Sequence, residues 1–327
     1  MPEDERRVFA TALPFGARAP YCGVPTAAYG DLDPRQVAIL GAPVDWGTSY
    51  RPGARFGPAA VREGDYLGPD GLRPALPYGV DCAEVLRLRD LGDADVVRGY
   101  MEPTLERIEA TVGQIVGRGA IPLIIGGEHT ITLANVRGVA QHLGTKRFAL
   151  LHFDAHADLG EYPDPQTYGH GMPMRNLLDG GIVAPTQLYQ FGLRGYWPGP
   201  EGLQWMRERG VVAHFAEDLD RAGMDAALAA AIDRIHGEND GRVFVSVDID
   251  ALDPAYAPGT GTPEPGGLSA SLMLRTLRRI GRECEVVGAD LVEVAPVYDQ
   301  PANGTAVLGN RLLLALLTGM ALRRRDG

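Results

Sequence analysis

The feature that most constrains this chain is a recurring unit. A short run of nearly uninterrupted apolar residues leads into a polar or glycine-rich link. A longer stretch with apolar residues at helical spacing then follows. Residues 121–125 (IPLII), 148–153 (FALLHF) and 243–247 (VFVSV) show no inside–outside alternation. A strand that is apolar on both faces must be covered on both faces. Strands of this kind separated by helices predict a parallel sheet with helices packed on either side. The expected architecture is a three-layer α/β/α fold around a central, mainly parallel sheet.

Strands are expected at 37–40, 85–91, 121–125, 148–153, 187–193, 211–214, 243–247 and 285–292. Helical spacing covers 103–118, 130–143, 221–236, 269–282 and 306–323. Pro58 opens a short helix after the Gly/Pro/Arg-rich loop 41–57. Residues 1–35, rich in Pro, Gly and Ala, read as an irregular arm, and 36–327 as one domain. With 45% hydrophobic residues the chain can bury a core. No apolar run reaches the length of a membrane span, and the charged start MPEDERR leads into no apolar segment. Neither a membrane partner nor a signal peptide is expected. Cys22, Cys82 and Cys284 form no Cys-x-x-Cys pair, which suits the cytoplasm.

Composition removes several chemistries. Lys146 is the only lysine among 31 basic residues, and Arg147 follows it, so no Walker phosphate loop exists. It sits in the link Gly144-Thr145-Lys146-Arg147, a poor place for a desolvated Schiff-base amine. No serine lies in Gly-x-Ser-x-Gly. Acids (42) outnumber bases (31), which argues against a nucleic-acid partner and suits a small cationic ligand.

In open α/β sheets ligands bind beyond the carboxyl ends of the strands. Three such ends carry metal-type side chains. Residues 121–125 run into Gly126-Gly127-Glu128-His129, and 148–153 into Asp154-Ala155-His156-Ala157-Asp158. Residues 243–247 run into Asp248-Ile249-Asp250. The candidates are His129, Asp154, His156, Asp158, Asp248 and Asp250. Residues two apart on an extended chain face the same side. Carboxylates gathered this densely repel one another, and two divalent ions would cancel that charge. Nitrogen and oxygen donors without thiolates favour Mn²⁺, with Zn, Fe, Co or Ni compatible. Two such ions lower the pKa of a shared water. Calcium fits poorly, because imidazole is a poor ligand for it. His142 and His236 end helices and His214 ends a strand, while His152 reads as packed rather than ligating.

The segments GGEH (126–129), FDAHAD (153–158), SVDIDALDP (246–254) and APGTGTPEPGG (257–267) carry a resemblance. RPGARFG (51–57) and ADLVEVAP (289–296) extend it. Together they resemble the ureohydrolase (arginase/agmatinase) family, in its agmatinase-like branch, from residue 36 to near residue 320. The resemblance implies an arginase/deacetylase-like fold and a binuclear manganese site that hydrolyses a guanidino group to urea and an amine. It implies one ion on His129, Asp154, Asp158 and Asp248, and a second on Asp154, His156, Asp248 and Asp250. It implies Glu293 as the partner of the substrate guanidinium, whose planar permanent charge suits a carboxylate. It also implies His170 as the proton shuttle to the leaving amine, Asp158 as the group that orients the nucleophile, and a homo-oligomer, trimer or hexamer.

Agmatine, yielding putrescine and so placing the chain in polyamine metabolism, is the first substrate expected. A guanidino acid such as 4-guanidinobutyrate or 3-guanidinopropanoate is the alternative. Free arginine is disfavoured, because 159–167 lacks the Asn/Ser set of arginases, although His170-Gly171-Met172-Pro173 is arginase-like. Gly195-Tyr196-Trp197-Pro198 could line the pocket. A phosphatase would need basic side chains aimed at a phosphate. A single-zinc deacetylase would not need Asp158 together with Asp250. A formimino hydrolase or a noncatalytic metal-binding protein would differ in turnover.

Overall fold

Among the described residues, eight strands form one sheet in which every strand pairing is parallel. The computed structural model describes residues 20–66, 74–161, 166–299 and 303–327. The strands are β1 (Val37–Ala42), β2 (Arg89–Asp93), β3 (Ile121–Gly126), β4 (Ala149–Phe153), β5 (Leu188–Leu193), β6 (Val212–Phe215), β7 (Arg242–Asp248) and β8 (Glu285–Val292). Their order across the sheet is β2-β1-β3-β8-β7-β4-β5-β6.

The helices are α1 (Gly57–Glu63), α2 (Cys82–Leu86), α3 (Met101–Gly117), α4 (Ile131–Leu143), α5 (Pro173–Asp179) and α6 (Pro200–Arg209). The series continues with α7 (Ala216–Ala222), α8 (Met224–Asn239), α9 (Ala270–Glu283) and α10 (Gly304–Asp326). Alternate strand residues feed two cores. Val37, Ile39, Leu151, Val245 and Leu291 pack with α1, α2, α8, α9 and α10. Ala38, Leu40, Ile124, Leu150 and Phe244 pack with α3, α4, α5 and α6. This two-sided burial is why the strands lack a polar face, and the three-layer expectation holds.

One strand differs from the expectation. Residues 85–91 were read as extended, but Asp81 accepts from the amides of Ala83 and Glu84 and starts α2 instead. Arg87 then adopts a left-handed φ of 52°, and the strand begins only at Arg89. A capped turn outweighed the alternating apolar pattern Leu86, Leu88. The short helices α5 and α6 went unanticipated because each spans too few turns for a periodicity. The run 221–236 straddles Gly223, whose φ of 91° separates α7 from α8.

Helix α10 corrects a second expectation. It is long and apolar enough to cross a membrane by length and composition, yet 78% of its apolar window is buried. It is a core helix against α9, apolar on most of its faces for that reason. Of the arm, residues 1–19 lie outside the described residues. Tyr21 beyond them is fully buried, its amide donating to Asp90 and its hydroxyl to the Asn310 carbonyl.

Arg62 of α1 ties the layers together. Its Nε and Nη2 donate to Asp90 at 2.9 Å each, and Nη1 donates to Asp93 at 2.7 Å. All three residues are buried. Removing the cation would leave two buried carboxylates without a counter-charge, Asp90 keeping only the Tyr21 and Gly92 amides. Arg62→Ala is expected to lose about 3–5 kcal/mol in equilibrium urea unfolding. A loss under about 1 kcal/mol, the range of exposed pairs, would show that the cluster does not hold α1 to the sheet.

Candidate metal centre

The sheet order places β3, β8, β7 and β4 side by side. These four carboxyl ends carry His129, Glu293, the Asp248/Asp250 pair, and Asp154, His156 and Asp158. The backbone there is shaped for close approach. A Cβ on Gly127 would lie 2.1 Å from the Val44 carbonyl oxygen, so only glycine fits. Asp158 and Glu293 both hold left-handed φ values, 52° and 63°. Strain at non-glycine residues of this kind collects at functional sites.

All six proposed ligands converge. His129 Nδ1 lies 3.1 Å from Asp154 Oδ2, 2.9 Å from Asp158 Oδ2 and 3.2 Å from Asp248 Oδ2. Ligand atoms about 2.1 Å from a shared ion and at right angles sit about 3 Å apart. Nδ1 is buried and makes no hydrogen bond of acceptable geometry, so its lone pair suits a cation among those oxygens. A second group adjoins it. His156 Nδ1 lies 3.1 Å from Asp250 Oδ2 and 3.5 Å from Asp154 Oδ1. Asp154 thus offers one oxygen to each group. The other oxygen of Asp248 accepts the Asp250 amide at 2.8 Å.

The donor set, imidazole nitrogens and carboxylate oxygens without thiolates, fits a pair of divalent ions. Its protons point the same way. Burial opposes a charge on His129, but Asp158, Asp154 and Asp248 hold its pKa well above the ordinary histidine value. Burial likewise opposes His156, yet Asp250 and Asp154 push it up to about 12. Burial first, then repulsion from neighbouring aspartates, raises Asp158 and Asp248. Burial opposes the charge on Asp154 too, but His152, His129 and His156 hold its carboxyl well below the ordinary value, so without metal the site favours protons on its imidazoles.

A surrounding layer aims these ligands, and sequence reasoning missed it. Gln190 Nε2 donates to the Ala157 carbonyl and to His152 Nδ1, so His152 carries its proton on Nε2, 2.8 Å from Asp154 Oδ2. His152 is packed, as expected, but it also orients a ligand. His129 Nε2 lies 3.0 Å from Ser246 Oγ, which continues through Thr132 to buried Asp290. Such partners fix the tautomer of a ligating histidine. Their only signal in the sequence was a polar residue inside an apolar strand.

A cavity of about 210 Å³ opens over the ligands, lined by Ser49, His156, Asp158, His170, Trp197 and Glu293 among others. Glu293 Oε1 accepts from the His129 amide and from His170 Nδ1, each at 3.0 Å. Its Oε2 is buried and unbonded. His170 Nε2 lies 3.0 Å from the Ser49 amide, which can only donate, so the neutral ring is protonated at Nδ1. Ser49 Oγ, 2.7 Å away, can serve either protonation state. Burial opposes a charge on His170, but Glu293 and Glu128 push its pKa up to about 9. Glu128, itself raised to about 7 by burial and by Glu293, accepts the Gly47 amide and braces the loop that carries Ser49. Trp197 approaches the His156 ring edge-on at 6.5 Å, so the aromatic segment does border the cavity. Residues 162–165, within the stretch compared with arginases, lie outside the described residues. A larger cavity of about 590 Å³ lies at the opposite ends of β3 and β8 and touches none of these groups.

Residues 35–319 match the model of the arginase family. The chain belongs to that family. It is 38% identical to guanidinopropionase of Pseudomonas aeruginosa over 92% of this chain and 93% of the relative. It is 34% identical to agmatinase of Bacillus anthracis over 89% and 94% of the two chains. The solved proclavaminate amidinohydrolase of Streptomyces clavuligerus superposes with a TM-score of 0.83 at 34% identity, covering 95% of this chain and all of that one. The protein is therefore a ureohydrolase of the arginase family, an amidinohydrolase acting on guanidino or amidino groups, with a His/Asp cluster able to bind metal.

Metal must displace the protons held at His129 and His156. Mn²⁺ titrated calorimetrically into chelator-stripped protein is expected to release at least one proton. Its apparent affinity should rise about tenfold per pH unit for each proton displaced. Binding independent of pH, with no proton release, would show that these imidazoles are not ligands.

Proposed function

We propose that this ureohydrolase cleaves a linear guanidino compound, agmatine first, using two Mn²⁺ ions. The observation that carries the reading is Glu293, whose carboxylate lines the cavity over the ligand groups and whose buried Oε2 has no hydrogen-bond partner among the described residues. A guanidinium supplies the planar, charged N–H donors such an oxygen lacks.

His129, Asp154, Asp158 and Asp248 would hold one ion, and Asp154, His156, Asp248 and Asp250 the other. When bound, the ions supply Lewis acidity that makes a water nucleophilic near neutral pH. Glu293 holds the guanidinium with its carbon facing the ligand groups. Asp158 accepts a hydrogen of the attacking water and orients it. A C–O bond forms, the bond from carbon to the alkylated nitrogen breaks, and urea results. The nitrogen departs as an ammonium carrying both hydrogens of the water: one is relayed from Asp158, and the other is given by the charged form of His170 at Nε2, which recovers it from the new hydroxyl by way of Ser49 Oγ, 2.7 Å away. The left-handed turn at Glu293 and the two bonds through Oε1 fix the carboxylate, and Oε2 is left without a hydrogen bond among the described residues.

A carboxylate close to the aromatic segment supports a substrate with a second cation. Glu264 lies against Gly195, where an added Cβ would be 2.8 Å from its carboxyl carbon, two residues from Trp197. One observation favours a guanidino acid instead. Gly261 sits between Glu293 and the Arg51 main chain, and the Arg51 guanidinium lies over Tyr50 and Tyr298, 5.0 and 5.4 Å from the ring centroids.

The deciding experiment is urea release from a panel of agmatine, 4-guanidinobutyrate, 3-guanidinopropanoate, arginine and proclavaminate with Mn²⁺ supplied. Agmatine is expected to give the highest kcat/KM; a guanidino acid ahead of it would transfer the reading to Arg51. Glu293→Gln should lower kcat/KM by about 10²-fold through loss of the charge-assisted bonds. Glu264→Gln should raise KM for agmatine roughly fivefold while sparing the acids. An unchanged preference would remove Glu264 from substrate selection.

A further inference from the structure

The side chain of Arg194 ends in an unusual setting. It follows β5 and is only partly exposed, yet the acceptors of its guanidinium are main-chain carbonyls. Nη2 donates to Asp250 at 2.6 Å, to Glu264 at 2.7 Å and to Leu252 at 3.2 Å. Nη1 donates to Gly192 and Ala251, and Nε to Glu264 and Pro265. The Arg194 amide donates to the Ala155 carbonyl at 2.9 Å, and the Ala155 amide donates to Asp250 Oδ1 at 3.0 Å.

These contacts share a geometry. The second ligand group draws Asp154 and His156 from the end of β4 and Asp250 from a single 3₁₀ turn, Ile249–Ala251, after β7. Within that turn only the Ile249 carbonyl is bonded locally, by the Leu252 amide, and strands β7 and β5 lie on opposite sides of β4. Arg194 spans the gap. Its main chain fixes the 154–156 segment, and its side chain fixes the Asp250 turn and the 264–265 rim. Only a planar fork with donors on three nitrogens can reach carbonyls on so many segments; an ammonium presents one point charge.

We propose that Arg194 is a positioning residue for the second metal ion, holding Asp250 at its distance from His156 and Asp154. The first group does not depend on it, because His129, Asp154, Asp158 and Asp248 stand on strand ends and on the Asp158 turn. The inference rests on the proposed two-ion site but not on the identity of the substrate.

The test is an Mn²⁺ titration of chelator-stripped wild-type, R194K and R194Q proteins, followed by electron paramagnetic resonance of free and bound ion. In both variants the first equivalent should bind within about threefold of wild type and the second at least about tenfold more weakly. The spin-coupled signal of a manganese pair should fade accordingly. R194K retains the charge and the alkyl stem, so it separates the loss of the fork from loss of the cation. Wild-type binding of both ions by folded variants would overturn the proposal. So would equal weakening of both ions, or failure of both variants to fold by circular dichroism, since each assigns Arg194 to general stability. A wild type that binds two ions but releases no urea from the guanidino panel would refute the proposed function and leave this inference standing.

Discussion

The burial of like charge at neighbouring strand ends organises this molecule. Asp154, Asp158, Asp248, Asp250 and Glu293 are all at most 5% exposed and crowd around His129. Unpaired charges cannot be sequestered at that density. Either protons or cations must accompany them, and without metal the upward shifts of His129, His156 and Asp248 favour protons in that place. The chemistry of the site follows from the same instability, because a cluster short of positive charge will take up divalent ions and a guanidinium.

The scaffold counters that repulsion by rigidity. Each ligand stands on a buried strand end or on a turn strapped to one. Glu128 and Asp45 brace the loop after β1, Arg194 braces the Asp250 turn, and Gln190 with His152 orients Asp154. Left-handed backbone at Asp158 and Glu293 turns these side chains toward the cavity. Such strained turns persist only where the surrounding hydrogen bonds over-determine them.

Much of this was legible in the sequence, for identifiable reasons. Strands buried on both faces announce themselves by lacking a polar face, as 121–125 and 243–247 do. Metal-type residues spaced two apart at their ends announced the ligand groups. The misreadings have equally specific causes. The Asp81 cap converted the start of the segment 85–91 into α2, and the apolar length of α10 reflected a deep core. Arg194, Gln190 and Ser49 carry no local pattern, since their partners lie on other segments: Asp250 and Glu264, Ala157 and His152, and His170.

The sequence alone determined the layer architecture, the acid/imidazole donor set and the family resemblance, because each is written in neighbouring residues and their periodicity. The tertiary structure alone decided that β3, β8, β7 and β4 lie adjacent, an order that chain position does not reveal. It also decided that Glu293 lines the cavity with its Oε2 unpartnered among the described residues. Adjacency across a parallel sheet arises from crossover connections and packing on both faces. No local pattern encodes which strand will become whose neighbour.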